Sequence, residues 1–285
     1  MAGVVADENS TEERYFVELF DETLELNRGE VSDDALSNAV VETIAVFNEG
    51  PSNSCAVEHF RTPAQLWAYF YRFSPISAGL ARNRMLQAIR NSEEFRMFLK
   101  RPSLEVLSIG SGPGSDLIGL CSVLYEKGDF QKLNLTLVDN NKHWKSLFES
   151  MIQVTREGVY GNASSLFNDK EISSSFIWAT ALRTDDYLEA LRKADIVWMK
   201  GLLSILRTDS SRHTVINDVA SSMRARSLLV VIDSPSYLNF ENVQMLRQVY
   251  SMEERKYHFS EPSITFYYPG LCRNSNQIIT VLAKE

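Results

Sequence analysis

Between Leu104 and Leu120 the chain passes from a short, largely apolar run straight into Gly110-Ser111-Gly112-Pro113-Gly114-Ser115-Asp116, then into Leu117-Ile118-Gly119-Leu120. Few arrangements satisfy that order. The first run reads as a buried strand, the glycines allow a tight turn, and the stretch after them reads as a helix whose first N–H groups lack intrahelical partners. Strand, glycine loop and helix in this sequence are the parts that hold a nucleoside cofactor against the backbone. They ask for an α/β fold, a doubly wound sheet of mainly parallel strands.

The chain after Pro102 keeps that rhythm. Leu104–Ile109, Leu133–Val138, Phe176–Ala181, Ile196–Met199 and Leu228–Ile232 are candidate strands separated by amphipathic stretches, as in βαβ units. Glu253–Phe259 and Gln277–Ala283 depart from it, because a loop rich in Pro, Gly and Asn joins them without a helix. Two such strands should pair antiparallel.

Before Pro102 the periodicity is helical. Residues 1–10 have the composition of an unstructured tail. Thr11 is then a candidate N-cap, and Phe16, Leu19, Phe20, Thr23 and Leu26 recur at helical spacing up to Gly29. Ser32 starts a second helix with Leu36, Val40, Ile44 and Phe47 near one face, which Asn48-Glu49-Gly50-Pro51 should break. Thr62-Pro63 starts a third, presenting Leu66, Trp67, Phe70 and Phe73, which Pro75 should end. A fourth over 76–90 and a short fifth over 93–99, capped by Ser92, complete the set. The expected organisation is a tail at 1–10, a helical extension at 11–101 that forms a lid or substrate region, and a sheet domain at 102–285.

Charge is unevenly spread. Of the net −8, residues 1–49 hold −11, with 13 acids against two bases, so the remainder carries +3. Within it, Arg61, Arg72, Arg82, Arg84, Arg90, Arg96, Lys100 and Arg101 form a basic belt against only Glu93 and Glu94. Either the acidic front packs near this belt or both are solvated faces, or the belt is a surface for an RNA substrate. Cys55, Cys121 and Cys272 are too few and scattered for a disulfide framework or zinc site, which suits free thiols in a reducing compartment. His59, His143, His213 and His258 each stand alone, so no catalytic triad or metal cluster is legible. The acidic start and the lack of a long apolar run predict an intracellular protein, cytoplasmic or nuclear, with no membrane partner.

The glycine spacing separates two kinds of cofactor. A dinucleotide loop wants G-x-G-x-x-G, and its third glycine falls where this chain has Ser115. The observed G-x-G-x-G, followed by Asp139 at the end of the next strand, resembles the loop of class I S-adenosylmethionine-dependent methyltransferases. The resemblance covers residues 102–285 and implies a seven-stranded Rossmann-like sheet with a reversed last strand. It implies S-adenosylmethionine as cofactor, held by Gly110, Ser111, Gly112 and Gly114, with Asp139 accepting from both ribose hydroxyls and Asn140 beside it. Asp185 or Asp186 would approach the adenine amino group, or else cap the helix beginning at Tyr187. Trp144 would wall the adenine or belong to the core. Lys200 would contact substrate or the cofactor carboxylate, or simply mark a strand end. Tyr69, Tyr71, Arg72 and Phe73 are the candidate lid residues.

One position departs from the family. Its members usually carry Asp or Glu two residues before the first glycine, where this chain has Ser108. Some eukaryotic members resemble this chain in having serine there. The Asn/Asp-Pro-Pro-aromatic motif by which amino-methyltransferases acting on bases or glutamine resemble one another is missing at the end of the fourth strand, which argues against exocyclic-amine methylation by that route; the expected function is methyl transfer to an unidentified oxygen or nitrogen acceptor. The alternatives are an inactive methyltransferase-like sensor or scaffold, and an RNA methyltransferase.

Overall fold

The computed structural model describes residues 2–48, 60–240, 243–253, 255–268 and 270–285. Strand β1 (Ser103–Ile109) leads into the glycine loop and pairs in parallel with β2 (Lys132–Asp139) on one side and β4 (Ile196–Lys200) on the other. With β3 (Glu171–Trp178), β5 (Leu228–Asp233), β6 (Leu246–Ser251) and β7 (Ile278–Lys284) it forms one seven-stranded sheet, order β3-β2-β1-β4-β5-β7-β6. β7 runs antiparallel to both β5 and β6. This is the Rossmann-like methyltransferase fold, with the reversed last strand in place.

Two strands differ from expectation. β3 spans Glu171–Trp178, not Phe176–Ala181: it is an edge strand paired only with β2, so its outer half reads Ser173-Ser174-Ser175 and hides from an apolar-run search. The partner of β7 is Leu246–Ser251, not Glu253–Phe259. Among the described residues of that expected strand only Tyr257–His258 forms one, and it pairs antiparallel with Asn274–Ser275. Leu246–Ser251 is half-exposed at the other sheet edge, and its polar sequence becomes a strand because β7 offers it unpaired backbone groups.

Helices cover both faces. α8 (Leu188–Lys193) and α10 (Asp209–Ser222) bury Leu191, Val215 and Val219 against Leu107, Val197 and Leu229. The other face receives α5 (Ser115–Lys127), α6 (Trp144–Glu157) and α7 (Gly161–Asp169) together with the N-terminal helices, all in one continuous core. These are α1 (Ala2–Asn27), α2 (Asp33–Asn48), α3 (Pro63–Asn91) and the short α4 (Glu93–Phe98).

α1 starts at Ala2, not Thr11: no proline interrupts residues 2–11, so the helix extends through the stretch expected to be a tail. α3 is one helix where Pro75 was expected to separate two. An interior proline costs about 3 kcal/mol, but Phe70, Tyr71, Ile76 and Leu80 on both sides of it are buried, each apolar side chain returning about 1.5–3 kcal/mol. The Ser92 cap is as expected, accepting from the Phe95 amide, and the helix starting at Thr62-Pro63 is capped by Thr62, which accepts from the Gln65 amide. α3 lies directly on α5. A Cβ at Gly119 would stand 2.0 Å from the Ala78 carbonyl oxygen, and Ser115 Oγ meets Ser74 Oγ at 2.7 Å.

The charges pack. Arg82 and Arg84 are 3% and 2% exposed; Arg82 donates to Glu126 at 2.8 Å, and Arg84 to the carbonyls of Gln277 and Arg255 at 2.9 and 2.6 Å. Arg101 pairs with Asp195 at 2.5 Å. The belt is therefore not a continuous basic surface, because its central members are spent on internal acceptors. Glu12, Glu13 and Asp21 of the acidic front are likewise buried, as acceptors for α5, α7 and the C-terminal loop. Glu49, Gly50, Pro51, Cys55 and His59 lie outside the described residues. No helix among those described is long and apolar enough to cross a membrane.

Candidate active site

At the C-terminal ends of β1, β2 and β4 lies a cavity of about 370 Å³. Its floor is the glycine loop. The amides of Gly110 and Ser111 both donate to the Val138 carbonyl, at 2.8 and 3.2 Å, which folds the loop back over β2. Gly112 has φ +53°, and a Cβ there would meet nothing within 4 Å, so the missing side chain leaves open space facing the cavity. Gly114, at φ +75°, caps α5; a Cβ would run into Phe148 and Leu137 at 2.7 and 2.9 Å.

Asp139 ends β2 with its carboxylate in the cavity wall, 9% exposed. Oδ2 accepts the Gly112 amide at 2.8 Å and Oδ1 the Asn141 amide at 2.9 Å. Burial raises its pKa above the ordinary aspartate value, and these backbone donors oppose the rise. A carboxylate oxygen has acceptor capacity for a second donor, so both oxygens can still serve a ligand.

Aromatic rings roof this end. Tyr69 of α3 stands with its ring 5.5 Å from that of Trp144 at the start of α6, 4.8 Å from Phe60 and 4.9 Å from Phe73. Burial pushes the Tyr69 hydroxyl well above its usual pKa, so it stays protonated. The Phe60 carbonyl accepts from Asn141 Nδ2 at 3.2 Å, tying the roof to the residue that also bonds Asp139.

The far wall is different. Lys200, the last residue of β4, donates from Nζ to Ser77 Oγ of α3 at 3.0 Å. Burial holds its pKa below the ordinary lysine value, against the opposing pull of Asp116 and Asp233 nearby. Asp116 Oδ2 accepts the Trp198 indole N–H at 2.6 Å. Asp233 Oδ2 accepts the Leu203 and Ser204 amides at 2.8 and 3.2 Å, which fixes the short helix α9 (Leu202–Ile205) beside Lys200. Cys272 and Asn274 to Gln277 close the wall.

Gly110, Gly112, Asp139, Asn140, Lys200, Tyr69 and Phe73 thus meet in one cavity, and Trp144 lines it too. Ser111 and Gly114 are the buried back of the loop. Asp185 is exposed in the turn Thr184–Tyr187, outside the lining, and so is its neighbour Asp186. Tyr71 points away from the cavity: it is buried with its hydroxyl on the Tyr268 carbonyl at 3.0 Å. Arg72 donates to the Gly270 carbonyl and lies over the Phe73 ring. Ser108 is 1% exposed on β1, opposite Trp198 of β4 and outside the lining. Sequence reasoning missed Ser77, Phe47, Phe60 and the polar run Asn274-Ser275-Asn276-Gln277, whose composition resembles that of any surface loop.

Residues 56–260, more than half of the chain, match the model of a family described as "Putative SAM-dependent methyltransferase". The chain belongs to this family. Among curated proteins no sequence matches. Solved structures with a similar fold include TrmN from Thermus thermophilus, at 13% identity and TM-score 0.42, covering 76% of this chain and 53% of that one. The rRNA methyltransferase AviRa from Streptomyces viridochromogenes is 9% identical with TM-score 0.42, covering 73% and 84%. The N-methyltransferase NodS from Bradyrhizobium japonicum WM9 is 12% identical with TM-score 0.39, covering 73% and 97%.

Proposed function

We propose that this chain binds S-adenosylmethionine in the cavity above β1, β2 and β4 and transfers its methyl group to an oxygen or nitrogen acceptor. Asp139 carries the reading. A nearly buried carboxylate with acceptor capacity at both oxygens, beside the open space at Gly112, fits a vicinal ribose diol drawn close to the backbone. The cavity volume falls within the roughly 300–1,000 Å³ of small-molecule sites.

The cofactor supplies a methyl group already attached to a sulfonium leaving group, so the protein's work is alignment and exclusion of water. Gly110 and Gly112 hold the floor close to the ligand. Tyr69, Phe73 and Trp144 supply ring faces, which attract a cation and keep water out. α3 carries Tyr69, Phe73 and Ser77, so the helical extension completes the pocket above the transfer point. An RNA acceptor loses its main support with Arg82 and Arg84 buried. The sensor reading rests on Ser108.

Calorimetry with S-adenosylhomocysteine tests the site, and transfer of labelled methyl from S-adenosylmethionine to RNA, protein and small-molecule fractions of cell extract tests the reaction. Micromolar binding and label in one fraction are expected. No binding by the folded protein overturns the assignment. Binding without transfer to any fraction replaces the enzyme with a sensor.

A further inference from the structure

The geometry points to Lys200 as the residue that takes the carboxylate of the cofactor's amino-acid tail, with neutral groups in place of an acid to receive the ammonium. This rests on the proposed cofactor site and deepens it.

The sheet order sets the direction. β2, β1 and β4 are adjacent, so with the ribose at Asp139 the tail crosses the glycine loop of β1 and ends over β4. Strand ends two places apart in a sheet are about 10 Å from each other, a span that a ribose and an extended aminobutyrate tail cover. The residue at the end of β4 is Lys200.

Charge supports the same pairing. Among the described residues that line the cavity, Asp139 is the only one with a carboxyl group and Lys200 the only one with an amine or guanidine, and they stand at its two ends. An ammonium has three N–H donors, and Ser77 Oγ takes one, at 3.0 Å. Burial holds the Lys200 pKa below its ordinary value, and Asp116 and Asp233, which face it from outside the lining, oppose that fall as a bound carboxylate would. Both carboxylates are themselves engaged, by Trp198 and by the α9 amides, so they balance the lysine from behind and leave its cavity side to a ligand.

Among the described residues that line the Lys200 end, no acid meets the partner charge. Ser108 occupies the family's usual acidic position and lies outside the lining. At the Lys200 end the polar groups include the carboxamides of Asn274, Asn276 and Gln277 and the hydroxyls of Ser77, Ser204 and Ser275; Gln277 Nε2 is 3.5 Å from where a Cβ on Gly201 would be. Recognition of the tail is therefore dominated by its carboxylate.

The test is calorimetry on the full chain, without acceptor, using three probes: S-adenosylhomocysteine, its decarboxylated analogue and 5′-methylthioadenosine, which lacks the whole tail. Wild type should prefer S-adenosylhomocysteine to the decarboxylated analogue by about tenfold or more, the value of one charge-assisted contact. Lys200→Met should abolish that preference while keeping 5′-methylthioadenosine affinity within about twofold, since the ribose end is remote. Lys200→Arg should retain a preference, and guards against a folding defect in the methionine variant. A preference that survives Lys200→Met, or equal losses for all three probes in both variants, overturns the assignment. If wild type binds 5′-methylthioadenosine and both tailed probes equally, the ribose site stands and the Lys200 assignment falls. If it binds none of the three, the cofactor reading itself has failed.

Discussion

Two segments face each other across the cavity and are held in opposite ways. The loop Gly110 to Gly114 is fixed locally, by positive φ angles, by two amides on Val138 and by one on Asp139, all within β1, β2 and the loop. The segment from Tyr257 to Gln277 is fixed from the other end of the chain. Glu13 accepts the Tyr257 hydroxyl at 2.6 Å and the Ser260 amide at 3.4 Å. Asp21 Oδ2 alone gathers the Ser263 hydroxyl and the Ile264 and Thr265 amides, at 2.8, 3.1 and 3.2 Å. Asp33 and Arg28 meet the Tyr268 hydroxyl. The Asp139 side of the cavity is thus held by local backbone geometry, whereas the segment behind the opposite wall takes its hydrogen bonds from distant parts of the chain, from α1 and the start of α2 and, through Tyr71, Arg72 and Arg84, from α3.

The most disruptive change strikes what both halves share. Gly119→Val would drive a side chain into the Ala78 backbone and lift α3 from α5, costing about 3 kcal/mol, the upper end for overpacking. Urea unfolding measures it, and an unchanged midpoint would mean that α3 is not seated on α5.

Asp139→Asn should act on the preformed half alone. Its loss of S-adenosylhomocysteine affinity should be about 1.5–3 kcal/mol by calorimetry. The rate at which protease cuts residues 255–275 should stay as in wild type. Faster cutting there would show that the two halves are not independent.

Asp21→Ala should do the reverse. Three hydrogen bonds to residues 263–265 disappear, for about 1–2 kcal/mol of stability and faster cleavage of that segment. Affinity for S-adenosylhomocysteine should fall less than in Asp139→Asn. An equal or larger fall would extend the influence of α1 to the ribose side.

The smallest effect is one of pH. Burial is the main cause that raises the pKa of Asp21 above 3.8 and of Glu13 above 4.5, against hydrogen bonds that lower it. The folded chain therefore binds these protons more readily than the unfolded chain. That contribution to stability is complete below the ordinary values and is lost as pH rises through the raised ones. Stability of wild type relative to Asp21→Asn should be greater near about pH 4 than near about pH 7 by denaturant titration. A pH-independent difference would place the Asp21 carboxylate in water.

Much of the preformed half was legible because its signals are short-range. Glycines where φ must be positive, an acid ending the next strand, a helix start at Thr62-Pro63 and a cap at Ser92 each depend on a few neighbouring residues. β1, β2, β4, β5 and the reversed last strand announced themselves as runs buried on both faces. Edges and walls did not. β3 and β6 are polar strands whose pairing is decided by a neighbour's free backbone, and Pro75 stays inside α3 because packing on both sides outweighs its missing hydrogen bond. Arg82 and Glu13 look like surface charges in sequence. Only the tertiary structure supplies the Glu126 and Tyr257 partners, 44 and 244 positions away, that make their burial affordable. Composition reports which charges a chain carries, and the fold decides which of them face water.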